Sequence, residues 1–299
     1  MAIAMMVDNP EGSQEIYDRI RELVGLDEPA GGIFHVAGPS PKGGWRVIEV
    51  WESEEDAQRF LSERLRPAFE AVGGVRFAAA VLARARLHHP GGAAMNYKFM
   101  YAIGFHPWED DAAEGRPFAE KASELFHREE SGREPPYGSA LDLGCGSGIW
   151  AVQLAKRGWQ VTGVDNVDKA LERARERVKG EGVDVRLVKG DLTNLRVADV
   201  GSGFRLLVDN GAFHSLNPAQ HEAMSREVSA VAADDATLLL VAWTPKRRGP
   251  LPRGASRREI ESAFHGWTVT DVEPSGIQAP KPIELLMKPD EHWYRLRRK

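Results

Sequence analysis

Three glycines at alternate positions, Gly144, Gly146 and Gly148, follow Leu141, Asp142 and Leu143 and are separated by Cys145 and Ser147. Glycine lets a backbone turn sharply and lets a ligand approach with no Cβ in the way. An apolar strand that ends in an acid, turns through such a loop and enters a helix near Ile149 aims the helix's unpaired N–H groups at whatever lies over the turn. The spacing is that of a nucleotide-type site. It differs from the dinucleotide GxGxxG, whose third glycine stands one residue later. Further acids stand at the ends of later strands. A short strand over residues 161–164 ends in Asp165 and Asn166, and an acid at that point commonly holds ribose hydroxyls. A run over 185–189 closes on Gly190, Asp191 and Leu192, and another over 204–208 closes on Asp209, Asn210 and Gly211. In an open parallel sheet these C-terminal strand ends line the binding crevice.

Taken in order, the segment 142–148, Asp165, the Gly190–Asp191 pair and the segment 209–214 (Asp, Asn, Gly, Ala, Phe, His) resemble the successive motifs of class I S-adenosylmethionine-dependent methyltransferases, over roughly residues 97–299. The resemblance implies an α/β, Rossmann-like seven-stranded domain with S-adenosyl-L-methionine as its cofactor. It places Gly144, Cys145, Gly146 and Gly148 along the methionine part, and Asp165 with Asn166 at the ribose. Asp191 falls at the exocyclic amine of adenine with Leu192 against the ring, Asp142 beneath the loop near the cofactor's amino group, and Asp209 beside the cofactor. A cofactor that is both sulfonium and ammonium suits a site ringed by carboxylates. His106, Pro107, Trp108 and Glu109, followed by Gly115, Arg116 and Pro117, are similar to the thiopurine and thiol methyltransferase-like group, with residues inserted between the two halves. That likeness implies that Trp108 packs near the cofactor.

Methyl transfer from a sulfonium is an in-line displacement, in which the protein mainly positions the acceptor and excludes water. A base, where the acceptor needs one, must titrate near neutrality, and His214, just past the fourth strand, is the candidate. The alternative for His214 is to order its loop or contact the carboxylate end of the cofactor. Tyr101, His106 and Phe213 are the candidates for lining the acceptor site, and with Phe99 and Trp108 they point to an aromatic acceptor. The segment 209–214 lacks the Asn/Asp-Pro-Pro-Tyr/Phe pattern that grips planar amino groups in DNA bases and protein glutamine. Asp234 and Asp235 read as turn residues before the fifth strand, and no metal is expected. Arg247 and Arg248 belong to a basic stretch that reads as a solvated loop, or as a contact for a carboxylated substrate.

The first ninety residues follow another grammar. Strands over 3–7, 32–36, 45–51 and 75–83 alternate with helices over 11–24 and from about 54 to 72, the second bent at Pro67. The order β-α-β-β-α-β is the ferredoxin-like split motif. Trp45 to Trp51 with the segment 53–60 resembles small dimeric α/β-barrel domains, which implies a homodimer formed through this unit. His35 is its one candidate for chemistry. The expected division is 1–86 for this domain, 87–95 for a linker that holds His88 and His89, and 96–299 for the methyltransferase domain.

A formal net charge of −5 argues against nucleic acid, which calls for a basic face. One cysteine excludes an intramolecular disulfide and a thiolate zinc site. No apolar run approaches the roughly 20 residues that span a bilayer, and the first residues lack a signal peptide's basic flank. The expectation is a cytoplasmic enzyme that methylates O, N or S of a small acceptor. Two alternatives stand beside it: a regulatory module that binds the cofactor without turnover, and a redox or degradative activity in the N-terminal domain.

Overall fold

The computed structural model describes residues 3–25, 29–40, 43–72, 81–83, 97, 101, 109, 112, 115–246, 252–277 and 290–299. His88, His89, the 87–95 linker, Phe99, His106, Trp108, Arg247 and Arg248 lie outside the described residues. The chain divides into two compact units, Met1–Ala93 and Ala94–Lys299.

The first unit runs β1 (Ile3–Asn9), α1 (Gln14–Val24), β2 (Gly32–Pro39), β3 (Trp45–Trp51), α2 (Glu54–Phe60), α3 (Arg66–Val72) and β4 (Val81–Ala83). Its four strands form a sheet in the order β2-β3-β1-β4, with every neighbouring pair antiparallel. Ser13 and Ser53 cap the first two helices, their hydroxyls accepting from Ile16 N and Asp56 N. The irregularity expected at Pro67 sits just before it, as a π-helical stretch over Leu61–Leu65 that joins α2 to α3. A proline has no N–H and its ring collides with the carbonyl four residues back. Here that carbonyl belongs to Glu63, inside the widened turn.

In the second unit, α4 (Pro117–Glu130) precedes β5 (Ser139–Leu143), α5 (Ile149–Arg157), β6 (Gln160–Asp165), α6 (Asp168–Glu181) and β7 (Val185–Lys189). Then come β8 (Phe204–Asn210), α7 (Pro218–Val231), β9 (Ala232–Trp243), α8 (Arg257–Ala263), β10 (Trp267–Pro274) and β11 (Glu291–Arg298). The seven-stranded sheet is ordered β10-β11-β9-β8-β5-β6-β7. Strands β5 to β9 pair in parallel, and β11 runs antiparallel to both neighbours. The alternation of side chains along a strand divides the core in two. Leu141, Leu143 and Leu207 face Met224, Val228, Ile260 and Phe264 from α7, α8 and the residue after α8. Ala140, Leu206 and Val208 face Phe118, Phe126, Trp150 and Leu154 from α4 and α5. Helices on both faces leave the strand ends as the open rim.

Strand β9 begins earlier than its hydrophobic run suggests. Phe204 pairs with Ala232 and Leu206 with Thr237, so residues 233–236 bulge opposite Arg205. Asp234 and Asp235 are therefore exposed residues of the strand and not of a turn before it, and Asp235 holds the Arg205 guanidinium at 2.8 Å. Among the described residues no helix is long and apolar enough to cross a membrane.

Candidate functional site

The loop after β5 is built on backbone conformations that only glycine adopts freely. Gly144, Gly146 and Gly148 have φ of 72°, 53° and 77°. A Cβ on Gly144 would stand 3.0 Å from the Ala212 Cβ, and one on Gly146 would stand 2.6 Å from the Tyr101 hydroxyl. Gly148 is held as tightly, 3.1 Å from the Ala174 Cβ of α6. The amides of Gly144 and Cys145 both donate to the Val164 carbonyl at 2.9 Å, which fastens the loop to the end of β6.

Three carboxylates converge beneath and beside this turn. Asp165 accepts from Gly146 N through Oδ2 (2.9 Å) and from Val167 N through Oδ1 (2.8 Å). Burial raises its pKa, against the pull of those amides. A carboxylate has about four acceptor positions, so this one can still accept from a ligand hydroxyl. Asp209 is fully buried and ties its own turn, accepting from Ala212 N at 2.6 Å and Phe213 N at 2.9 Å. Its pKa is pushed up to about 7 by burial, which outweighs the amides. Asp142 is 1% exposed, and its Oδ2 has no hydrogen-bond partner among the described residues. Burial pushes this carboxyl up to about 7, a backbone bond from Ala151 opposes that, and the charges of Asp165 and Asp209 add to it. The register is tight, since Leu143 pairs with Val164 on one side and with Asp209 on the other.

Asp191 is exposed and caps the short turn Leu192–Asn194, accepting from Thr193 N at 2.8 Å and from the Thr193 hydroxyl at 2.7 Å. Leu192 reaches back to within 3.9 Å of the Cβ position of Gly144, and Asn166 is exposed beside Asp165. These residues therefore gather on one rim with the glycine turn.

Four of the expected site residues have their side chains fixed by the surrounding fold. Phe213 is 0% exposed and belongs to the core. Its ring stacks on His221 at 3.9 Å and meets Phe264 at 5.5 Å, so it does not line an acceptor site. Cys145 turns its buried thiol toward β6, where a Cβ on Gly163 would meet Sγ at 3.0 Å. Only its backbone belongs to the loop, and burial raises the thiol pKa well above the ordinary value. Tyr101 lies on the glycine-loop side, packed with Val167 and Ala170, and donates to Glu109 Oε1 at 3.2 Å. His214 is buried, stacks on Trp243 at 5.2 Å, and accepts from Trp243 N through Nδ1 at 3.3 Å. With Nδ1 engaged there, His214 orders its loop against the end of β9.

The structure also adds residues that sequence reasoning passed over. Glu109 accepts from Arg173 at 3.1 Å, and Arg177 donates to the Ser147 carbonyl at 2.9 Å. Arg173 and Arg177 are four apart on α6, so one helix face serves both contacts; that spacing is the signal in the sequence. Tyr97 is partly buried, and its hydroxyl lies 2.9 Å from Ser215 Oγ, a pairing across 118 residues that no local pattern announces.

Residues 140–235 match the family described as a methyltransferase domain. That match covers the glycine turn and all of the rim carboxylates. Residues 140–235 are a class I, S-adenosylmethionine-dependent methyltransferase domain. The chain is 29% identical over 150 residues to a 2-heptyl-1-hydroxyquinolin-4(1H)-one methyltransferase of Mycobacteroides abscessus, covering 48% of this chain and 64% of that one. It is 31% identical over 151 residues to a ribosomal protein L11 methyltransferase of Thermotoga petrophila, covering 50% of each. The chain thus spans less than two-thirds of the length of either relative. The crystal structure of N-methyltransferase NodS from Bradyrhizobium japonicum WM9, in complex with S-adenosyl-L-homocysteine, superposes with a TM-score of 0.54 at 18% identity, over 69% of this chain and 98% of that one. This methyltransferase domain therefore has the Rossmann-like fold of that enzyme, with the strand order described above.

Proposed function

We propose that the chain transfers the methyl group of S-adenosylmethionine to an O, N or S atom of a small, aromatic acceptor. The observation that carries this reading is Asp142, a carboxylate sealed under the glycine turn with Oδ2 unpartnered among the described residues. A buried, unpaired carboxylate oxygen costs several kcal/mol and is a place for a cationic ligand group. When bound, the cofactor supplies a methyl group already activated by the positive sulfur. The chain's own part is to hold and to exclude. Gly144 and Gly146 let Ala212 and the Tyr101 hydroxyl close on the turn, Asp165 offers its carboxylate to a ribose hydroxyl, and Leu192 offers an apolar surface. Tyr101 and Tyr97 close the loop side. His214, locked to the Trp243 amide, positions the end of β9 and is not the base in this reading. The strand order β2-β3-β1-β4 supports a ferredoxin-like N-terminal domain, and we assign it to homodimer formation.

The test is incubation with S-adenosylmethionine and a panel of phenols, amines and thiols, followed by assay of S-adenosylhomocysteine. Product with one acceptor class supports transfer and names the atom. Binding without release across the panel would instead support a cofactor-binding module.

Asp142 also fixes a pH dependence. A carboxyl near pKa 7 is protonated below that pH and loses its attraction for a cation. Affinity for S-adenosylmethionine is therefore expected to rise about tenfold from pH 6 to pH 8 and to level off above. Asp142→Asn is expected to bind more weakly at pH 8 and to show a shallower rise, with the remainder belonging to Asp209. An unaltered profile in Asp142→Asn would show that this carboxylate does not sense the ligand.

A further inference from the structure

The N-terminal unit encloses a second site. Between α1 and the sheet lies a cavity of about 90 Å³, walled by Met5, Val7, Ile16, Ile20, Val47 and Phe60 among others. Glu49 lines the same cavity although it is only 4% exposed. Its Oε1 accepts from His35 Nδ1 at 2.9 Å, whereas Oε2 is buried with no hydrogen-bond partner among the described residues. The other ring nitrogen of His35, Nε2, lies 2.6 Å from the Tyr17 hydroxyl. The chain Tyr17, His35, Glu49 thus leads from the half-exposed imidazole to the cavity wall. Trp45, further along the same face of β3, contributes a buried indole N–H that is likewise unpartnered among the described residues.

An apolar cavity stays empty or takes apolar matter, and water enters only where polar partners are offered. Here the unpartnered Glu49 Oε2, beside His35, stands at the edge of a wall that is mainly aliphatic and aromatic and also holds Asn9, Ser13 and Arg21. A plain hydrocarbon would leave Glu49 Oε2 unpaired. We propose that this cavity binds a small neutral alcohol or phenol, whose apolar body fills the space and whose hydroxyl donates to Glu49 Oε2. The site lies wholly within the first unit and is independent of the methyl-transfer reading.

The experiment is a ligand-observed NMR titration of the full chain with phenol and with toluene, which differ in the hydroxyl. Phenol is expected to bind at least tenfold more tightly than toluene. Glu49→Gln removes the charge-assisted bond and keeps the shape; it is expected to weaken phenol about tenfold and to leave toluene unmoved. Val47→Phe fills the cavity from its floor and is expected to abolish both. Equal binding of phenol and toluene, phenol affinity unchanged in Glu49→Gln, phenol binding that survives Val47→Phe, or no binding of either probe to the wild-type chain would each overturn the proposal.

Discussion

Asp165→Ala is expected to weaken S-adenosylhomocysteine binding by about 1.5–3 kcal/mol, roughly tenfold to more than a hundredfold in Kd. The wild-type carboxylate works on two sides. Towards the protein it accepts the Gly146 and Val167 amides, and this sets the glycine turn against the end of β6. Towards the ligand it keeps acceptor capacity for a ribose hydroxyl. Alanine removes both and leaves two amides to find other partners. Asp165→Asn separates the two effects, because its single carbonyl oxygen can still hold one amide while the charge is gone. Its affinity is expected to fall between those of wild type and alanine. Calorimetric titration of all three forms reads this directly. Wild-type binding that persists in Asp165→Ala would remove the carboxylate from the site. No binding by the wild-type chain would overturn the reading of the cofactor itself.

What the sequence showed of this site depended on how local each signal is. Glycines at 144, 146 and 148 were legible because positive φ is a property of the residue, and the structure places all three there. The strand-end acids were legible because an apolar run that stops at a carboxylate marks the rim of a parallel sheet. Phe213 was not. It follows the rim by only a few residues, and whether its ring turns outward or inward is decided by α7 and by Phe264, which arrive later in the chain. The setting of His214 is equally non-local, because the amide it accepts from belongs to Trp243, 29 residues on. The early start of β9 was hidden because a bulge opposite Arg205 interrupts the alternation from which strands are read. His35 stands alone in the sequence, while its partners Tyr17 and Glu49 come from α1 and β3 and meet it only in the fold.

Phe213→Ala separates a core residue from a substrate contact, and the two roles predict opposite measurements. The ring is 0% exposed, stacked 13° from parallel on His221 and packed in the larger of the two faces of the core. Removing a fully buried phenylalanine costs about 3–5 kcal/mol, the transfer of its surface plus the cavity left behind. In a domain of this size each kcal/mol lowers the melting temperature by about 2–4 °C. The transition of the C-terminal unit is therefore expected to fall on the order of 6–20 °C. Part of that loss would pass through His221. Its Nε2 donates to the Phe213 carbonyl at 2.8 Å, and burial lowers its pKa, so it is held neutral against the ring. A cavity there admits water and relaxes that constraint, and the turn that carries Asp209 loosens with it, because Asp209 accepts the Phe213 amide. Phe213→Leu keeps the site apolar and most of its volume, and is expected to recover most of the stability. Among molecules that remain folded, the acceptor KM is expected to stay at the wild-type value in both variants. A Phe213→Ala protein that melts like wild type but needs a higher acceptor concentration would return this ring to the substrate site.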